Sequence, residues 1–278
     1  MKIAYSGIEG SFASIAAEKI FPGEEMVTCK SFSEAYEKVK DGICAAAVLP
    51  IENSYAGEVG QVTDLMYEGD LKVSGVYPLR VSQNLLGITG SSVSDIKKVI
   101  SHPQALEQCM DYIDEHGMSI EQSTNTARAA LEVSKLSDKS VGAIASKKTA
   151  NLYGLSVLQP DINKDKMNTT RFAVFSKEEL TQCSKNMHDA CIMIFTVRHE
   201  AGALAKAIGI IGDHRFNMRV IRSRRIKGVQ WQYYFYIELE GRMRSIEGSG
   251  IIDEMNRYCE SVRLIGSYYA EEPVIEED

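Results

Sequence analysis

The chain reads as an α/β protein in two units, a larger alternating one and a smaller ferredoxin-like one. Two observations carry this. Up to about residue 176, short apolar runs alternate with stretches whose apolar residues recur at helical spacing. That alternation predicts parallel strands covered by helices on both faces. Beyond residue 190 the predicted order becomes strand, helix, strand, strand, helix, strand, the β-α-β-β-α-β sequence of a ferredoxin-like unit.

Lys2–Tyr5 opens the first unit as a strand, followed by Ala45–Pro50, Leu85–Thr89, Lys98–Ile100, Val141–Ala145 and Arg171–Phe175. Between them lie helices such as Pro103–His116. Its Leu106, Cys109, Met110 and Ile113 follow the i, i+3, i+4, i+7 spacing of one buried face. Residues 177–190 are polar and are predicted to be a linker. In the second unit Cys191–Val197 is predicted as a strand and Ala201–His214 as a helix with Leu204, Ile208 and Ile211 on one side. Met218–Arg222 and Trp231–Leu239 follow as strands, the latter with Trp231, Tyr233, Phe235, Ile237 and Leu239 on one face. Ser245–Cys259 is predicted as a helix and Val262–Tyr268 as a strand. A unit spanning 191–270 holds a small core and invites pairing with a second copy, while the acidic tail 271–278 is expected to fray.

Of the 278 residues, 25% are charged and 44% hydrophobic, which suits a globular chain of two domains. A net charge of -7 argues against nucleic acid, and the basic cluster Arg215, Arg219, Arg222, Arg224, Arg225 and Lys227 is only local. The six cysteines have neither metal-knuckle nor redox spacing and read as buried hydrophobes in a reducing compartment. Met1 leads directly into a strand, and no apolar run approaches ~20 residues. The expectation is a cytoplasmic protein without a membrane span. No metal is expected, since no His/Cys/Asp cluster has ligand spacing.

The most informative segment is Asn168-Thr169-Thr170-Arg171-Phe172. Two hydroxyls, an amide, a fixed cation and an aromatic ring at a loop-to-strand junction suit a small anion that needs a hydrogen-bond donor. A capped turn entering a strand accounts for the same residues. Four other loops end a strand and open a helix: Ser6–Phe12, Pro50–Ser54, Ser101–Gln104 and Asn125–Ala130. The first can turn free N–H groups on an anion, but it lacks the Walker lysine and the dinucleotide glycine spacing. In the third, Ser101 is the expected N-cap and Pro103 a first-turn residue. His102 beside them is read first as structural, with substrate contact the lesser alternative.

Taken together these segments resemble the prephenate dehydratase family. Asn168-Thr169-Thr170-Arg171-Phe172 is similar to its Asn-x-Thr-Arg-Phe signature. Pro50-Ile51-Glu52-Asn53-Ser54, Ser101-His102-Pro103-Gln104-Ala105-Leu106 and Thr126-Ala127-Arg128-Ala129-Ala130 resemble three more of its motifs, in family order. The opening loop departs from it, with Ile8, Ser11 and Ala13 where Pro, Thr and Ser are usual. The second unit resembles an ACT regulatory domain, the family's phenylalanine sensor. Gly202-Ala203-Leu204 resembles the effector loop and Asn217 the asparagine before the second strand. Ser223 is the serine of a motif usually Glu-Ser-Arg-Pro, read here as Arg222-Ser223-Arg224-Arg225.

The resemblance implies decarboxylating dehydration of prephenate to phenylpyruvate, without a cofactor, in phenylalanine biosynthesis. It implies a two-lobed catalytic domain over 1–176, like periplasmic solute-binding proteins, with lobe one near 1–80 and 160–176 and lobe two near 81–159. Thr170 is implied as the catalytic donor. Ser11, Asn53, Ser54, Ser101, Gln104, Thr126, Arg171 and Phe172 are implied substrate contacts, with Glu52 bracing its loop and a bracing role the structural alternative for Arg171. Gly202, Ala203, Leu204, Asn217 and Ser223 are implied effector contacts, and paired ACT domains imply a homodimer or homotetramer. Arogenate dehydratase and a non-catalytic small-anion sensor are the alternative readings.

Overall fold

The computed structural model describes residues 1–180, 190–241, 250–269 and 274–276, arranged as three sheets. The first sheet has the order β2-β1-β3-β11-β5, formed by β1 (Lys2–Ser6), β2 (Glu25–Cys29), β3 (Ala46–Asn53), β5 (Lys72–Arg80) and β11 (Thr169–Ser176). A short β4 (Gly57–Glu58) pairs with β3. The second sheet has the order β10-β6-β9-β7-β8, formed by β6 (Asn84–Gly87), β7 (Lys98–Ser101), β8 (Ser119–Gln122), β9 (Val141–Ala145) and β10 (Ser156–Gln159).

Around them pack α1 (Phe12–Ile20), α2 (Phe32–Lys40), α3 (Gly60–Glu68), α4 (Pro103–Gln108), α5 (Met110–Glu115), α6 (Thr126–Leu136) and α7 (Lys147–Tyr153). The sheets are mixed rather than all parallel. β1, β2 and β3 run parallel, whereas β11 is antiparallel to both β3 and β5, and β6 is antiparallel to β9 and β10. The exceptions sit where the chain changes sheets: β5 leaves toward β6, and β10 returns toward β11. The two crossings are tied together by Val81 N to Asn168 O at 2.8 Å and Ile162 N to Gln83 O at 2.8 Å.

The predicted helix Pro103–His116 is broken at Cys109, where φ is -109° and ψ 9°. The return crossing is the cause. Lys164 N takes the carbonyl of Gln108 at 2.9 Å, so that oxygen is drawn out of the helical ladder.

The C-terminal sheet is antiparallel with the order β13-β14-β12-β15, formed by β12 (Ala190–Val197), β13 (Asn217–Arg225), β14 (Tyr233–Glu240) and β15 (Cys259–Tyr268). One face packs on α8 (Ala203–Asp213) and on the helix Ile251–Tyr258, through Met193, Phe195, Ile211, Ile237 and Met255. The other face joins the core of the first sheet, where Ile194, Tyr234, Tyr236 and Tyr268 cluster with Val73 and Phe175. Strict alternation in Trp231–Leu239 therefore fails. Trp231 is 67% exposed outside the strand, and the opposite-face Tyr234, Tyr236 and Glu238 are as buried as Ile237. A methyl group added at Gly266 of β15 would collide with the backbone carbonyl of Val73, so glycine allows the two sheets to meet.

The linker 177–190 falls mostly outside the described residues, as do the start of the predicted helix Ser245–Cys259 and most of the acidic tail. The described part of the tail is ordered rather than frayed. Ile275 N donates to Pro78 O at 2.7 Å and Ile275 O accepts from Arg80 N at 3.0 Å, adding a bridge to the edge of β5. Among the described residues, no helix is long and apolar enough to cross a membrane.

Candidate active site

A cleft of about 730 Å³ opens between the first two sheets, beside their crossings. Its walls include residues that open α1 and α6, Ser11–Ala13 and Asn125–Thr126, where the first N–H groups of a helix have no intrahelical partner. Both starts are capped from their own sequence: Ser11 Oγ accepts from Ser14 N at 3.3 Å, and Asn125 Oδ1 from Arg128 N at 2.7 Å. Among the described residues, the cations lining the cleft are Lys30 and Arg128, on opposite lobes, and its carboxylate is Glu34.

The floor is a line of amides ending in a hydroxyl. Asn53 at the end of β3 lies opposite Thr170 of β11, and its Nδ2 donates to Thr170 Oγ1 at 3.0 Å and to Asn168 Oδ1 at 2.8 Å. Asn53 Oδ1 accepts from the backbone N–H of Tyr55 and Ala56 at 3.0 and 2.9 Å, and from Gln104 Nε2 of the other lobe at 3.2 Å. Asn168 Nδ2 in turn donates to Gln108 Oε1 at 3.0 Å. This network fixes which way the Asn53 amide points. Thr170 Oγ1 is an acceptor in this network and lines the cleft, so its O–H can donate to a group bound there.

Two further groups face the same space. Gln83 in the first crossing is 3% exposed and lines the cleft, and its buried Oε1 has no partner among the described residues. A buried carbonyl left unpaired in this way is a candidate acceptor for substrate. His102 is the N-cap of α4, and its Nδ1 accepts from Gln104 N at 3.3 Å. Burial lowers the His102 pKa, so the imidazole is neutral at pH 7 and its proton is assigned to Nε2.

Residues 3–180 match the family model described as prephenate dehydratase. The chain belongs to the prephenate dehydratase family. It is 31% identical over 277 residues, 96% of this chain and 72% of the relative, to "Arogenate dehydratase/prephenate dehydratase 2, chloroplastic" of Arabidopsis thaliana. The crystal structure of a prephenate dehydratase in complex with L-Phe from Arthrobacter aurescens aligns with a TM-score of 0.88 at 25% identity, covering 99% of this chain and 93% of that one. A structure described as GqqA, "a novel type of quorum quenching acylases", aligns equally well, with a TM-score of 0.88 at 30% identity over 98% of both chains.

Within this family framework, Ser11, Asn53, Gln104, Thr126, Thr170 and Phe172 all line the cleft. Three expected contacts do not. Arg171 is turned to the reverse side of the first sheet, where it pairs with Glu52 at 2.9 Å and with Glu238 at 2.7 Å. The reason is strand geometry: Arg171 follows Thr170, and neighbours in a strand face opposite ways. Ser101 is fully buried and donates to Ile144 O at 2.6 Å, so it neither caps α4 nor reaches the cleft. Ser54 Oγ accepts from Thr169 N at 3.0 Å and lines a separate cavity of about 460 Å³ behind β11.

The expected effector residues are spread along one sheet. Asn217 is level with Ala190, whereas Ser223 is near the far end, close to the level of Thr196 from which the chain runs on to Gly202. Six residues of strand separate Asn217 from Ser223, roughly 20 Å. Sequence reasoning missed Gln83, Gln108, Lys30 and Arg128 as cleft residues. Gln108 was within reach, because i+4 from Gln104 shares its helix face. The other three depend on how the lobes meet, which local pattern does not report.

Proposed function

We propose that the chain converts prephenate to phenylpyruvate, and that Thr170 meets the departing ring hydroxyl. The observation that carries this is the Thr170 side chain, which accepts from Asn53 and lines a cleft with a cation on each wall, so that its O–H can donate to a group bound there. The ring C–O bond breaks and oxygen leaves as water. The C–C bond to the ring carboxylate breaks with it, releasing carbon dioxide and leaving its electron pair to complete the aromatic ring. One proton is consumed overall. Thr170 supplies it as a relay refilled from water, since an isolated alcohol is too weak an acid to give it up alone. With Arg171 turned away, Lys30, Arg128 and the N–H groups opening α1 and α6 hold the two carboxylates. Neutral His102 and the amides of Gln83 and Gln104 complete a lining that hydrogen-bonds the substrate without adding negative charge.

The C-terminal unit is read as an ACT domain that senses phenylalanine. Its strand order, Gly202-Ala203-Leu204 and Asn217 support this, and so does the relative that carries L-Phe. Because Gly202 and Asn217 lie at opposite ends of one sheet, an effector touching both must sit between two copies, which favours a homo-oligomer. A cytoplasmic location is part of the same reading. The acylase activity named for GqqA is not carried over. Among the described residues no serine or cysteine is hydrogen-bonded to His102, and burial raises the Cys29 thiol pKa, so no nucleophile–base pair is present in the cleft.

The test is a side-by-side assay of prephenate and arogenate with product identification. The reading expects phenylpyruvate from prephenate at the higher kcat/KM. Consumption of arogenate alone, or of neither, overturns it.

A further inference from the structure

The strands that carry Asn53 and Thr170 also carry, one residue away and on the opposite face, Glu52 and Arg171. These two pair with each other on the side that meets the C-terminal sheet. Arg171 donates from both Nη atoms to Glu238 of β14, at 3.0 and 2.7 Å. Glu238 is fully buried and also accepts from the hydroxyls of Tyr236 and Tyr268, at 2.7 and 2.8 Å. Arg222 of β13 donates to the second oxygen of Glu52. The Glu52 carboxylate is thus shared between a cation of its own sheet and a cation of the C-terminal sheet.

The pairing of β11 with β3 shifts register between Arg171 and Phe172, where Ile51 of β3 is the extra residue, while β11 stays in register with β5 from Thr169 to Val174. A bulge interrupts the β3–β11 ladder there, so side-chain contacts gain weight in setting how β3 lies against β11. The contacts present are directional, charge-assisted and buried, the class that holds geometry best.

We propose that Arg222 and Glu238 are positioning residues for the catalytic pair. Through Glu52 and Arg171 they set how β3 lies against β11, and so set the Asn53–Thr170 hydrogen bond on the other face. The inference rests on reading Thr170 as the group that meets the leaving hydroxyl. It gives the C-terminal unit a direct route to the chemistry: whatever displaces its sheet displaces the floor of the cleft, without any need to move one lobe against the other.

A control residue exists on the same interface. Arg263 of β15 donates to Tyr67 O at 2.8 Å and to Gly69 O, so it ties the C-terminal sheet to the end of α3, and these bonds do not involve β3 or β11. The experiment uses the full chain with Arg222→Ala, Arg222→Lys, Glu238→Gln and Arg263→Ala. For Arg222→Ala, kcat on prephenate falls about tenfold with KM held within about twofold, and Arg222→Lys recovers most of the loss. Arg263→Ala lowers the melting temperature but leaves kcat within about twofold.

The second readout needs no turnover. In protein labelled at threonine methyls, with the Thr170 signal assigned by Thr170→Ser, that resonance shifts in Arg222→Ala and stays in place in Arg263→Ala. Because Glu238→Gln can fail to fold, the deciding comparison is Arg222→Ala against Arg263→Ala. Unchanged kcat and an unmoved Thr170 methyl in Arg222→Ala overturn the inference, as does Arg263→Ala matching Arg222→Ala in both readouts. A wild-type chain that leaves prephenate untouched defeats the functional reading instead, and the methyl shift still decides whether the coupling exists.

Discussion

The two faces of the β3–β11 pair are built from adjacent residues and have opposite characters. The cleft face carries Asn53 and Thr170, neutral groups joined to Asn168 and Gln108 by hydrogen bonds. The reverse face carries Glu52 and Arg171, joined to Glu238 and Arg222, and through Arg222 to Glu58 of β4. Its charged groups are paired with one another across strands, an arrangement that holds strands together. Among the described residues, the cations at the cleft walls are Lys30 and Arg128, which the proposed function assigns to the dianion. The lesson is that an arginine beside a catalytic threonine is, by strand geometry, more readily a brace than a substrate clamp.

The contrast is sharpest in substitutions that strike one face only. Thr170→Val keeps the shape of the cleft and removes the hydroxyl, and kcat for phenylpyruvate formation should fall by about 10²- to 10⁴-fold while the melting temperature holds. Glu238→Ala strikes the other face. It leaves the half-buried Arg171 guanidinium with Glu52 as its remaining carboxylate, and takes the acceptor from the Tyr236 and Tyr268 hydroxyls. Urea unfolding should show a loss of about 3 kcal/mol, the lower end for breaking a buried pair, because Glu52 still compensates the guanidinium.

Lys30→Met should act on binding alone, raising KM for prephenate about fivefold with kcat nearly unchanged, since Lys30 is placed to hold the ground state and the transition state alike. The smallest effect is in acid. Burial raises the Asp64 pKa, but Arg224, Tyr234 and Lys227 together bring it down to about 2. An unfolded chain takes up that proton near 3.8, the folded one only near 2, so stability is full above this window and is lost as pH falls through it. Asp64→Asn should flatten that acid limb of the unfolding profile.

Much of this was legible in residue order alone. Apolar runs and helical spacing placed six strands within a few residues of their observed positions, and the loop motifs pointed to Asn53, Gln104, Thr126 and Thr170, which meet in one cleft. Arg171 was misread because β11 is covered on both sides, by α-helices and cleft on one and by the C-terminal sheet on the other, and a strand buried on both faces carries no polar alternation to show which way a residue turns. Ser101 looked like a cap because serine commonly is one, but its carbonyl partner Ile144 comes from a distant strand. The break at Cys109 and the antiparallel setting of β11 both arise where the chain crosses between sheets. Such features depend on contacts across more than fifty residues, and helical period is silent about them.

The most direct measurement is a crystal structure of the Thr170→Val chain soaked with prephenate, which cannot then be consumed quickly. The account predicts density in the cleft between the first two sheets, with the ring hydroxyl about 3–4 Å from the side chain at position 170 and the carboxylates toward Lys30, Arg128 and the starts of α1 and α6. Density in the cavity behind β11, against Arg171 and Arg219, would contradict it.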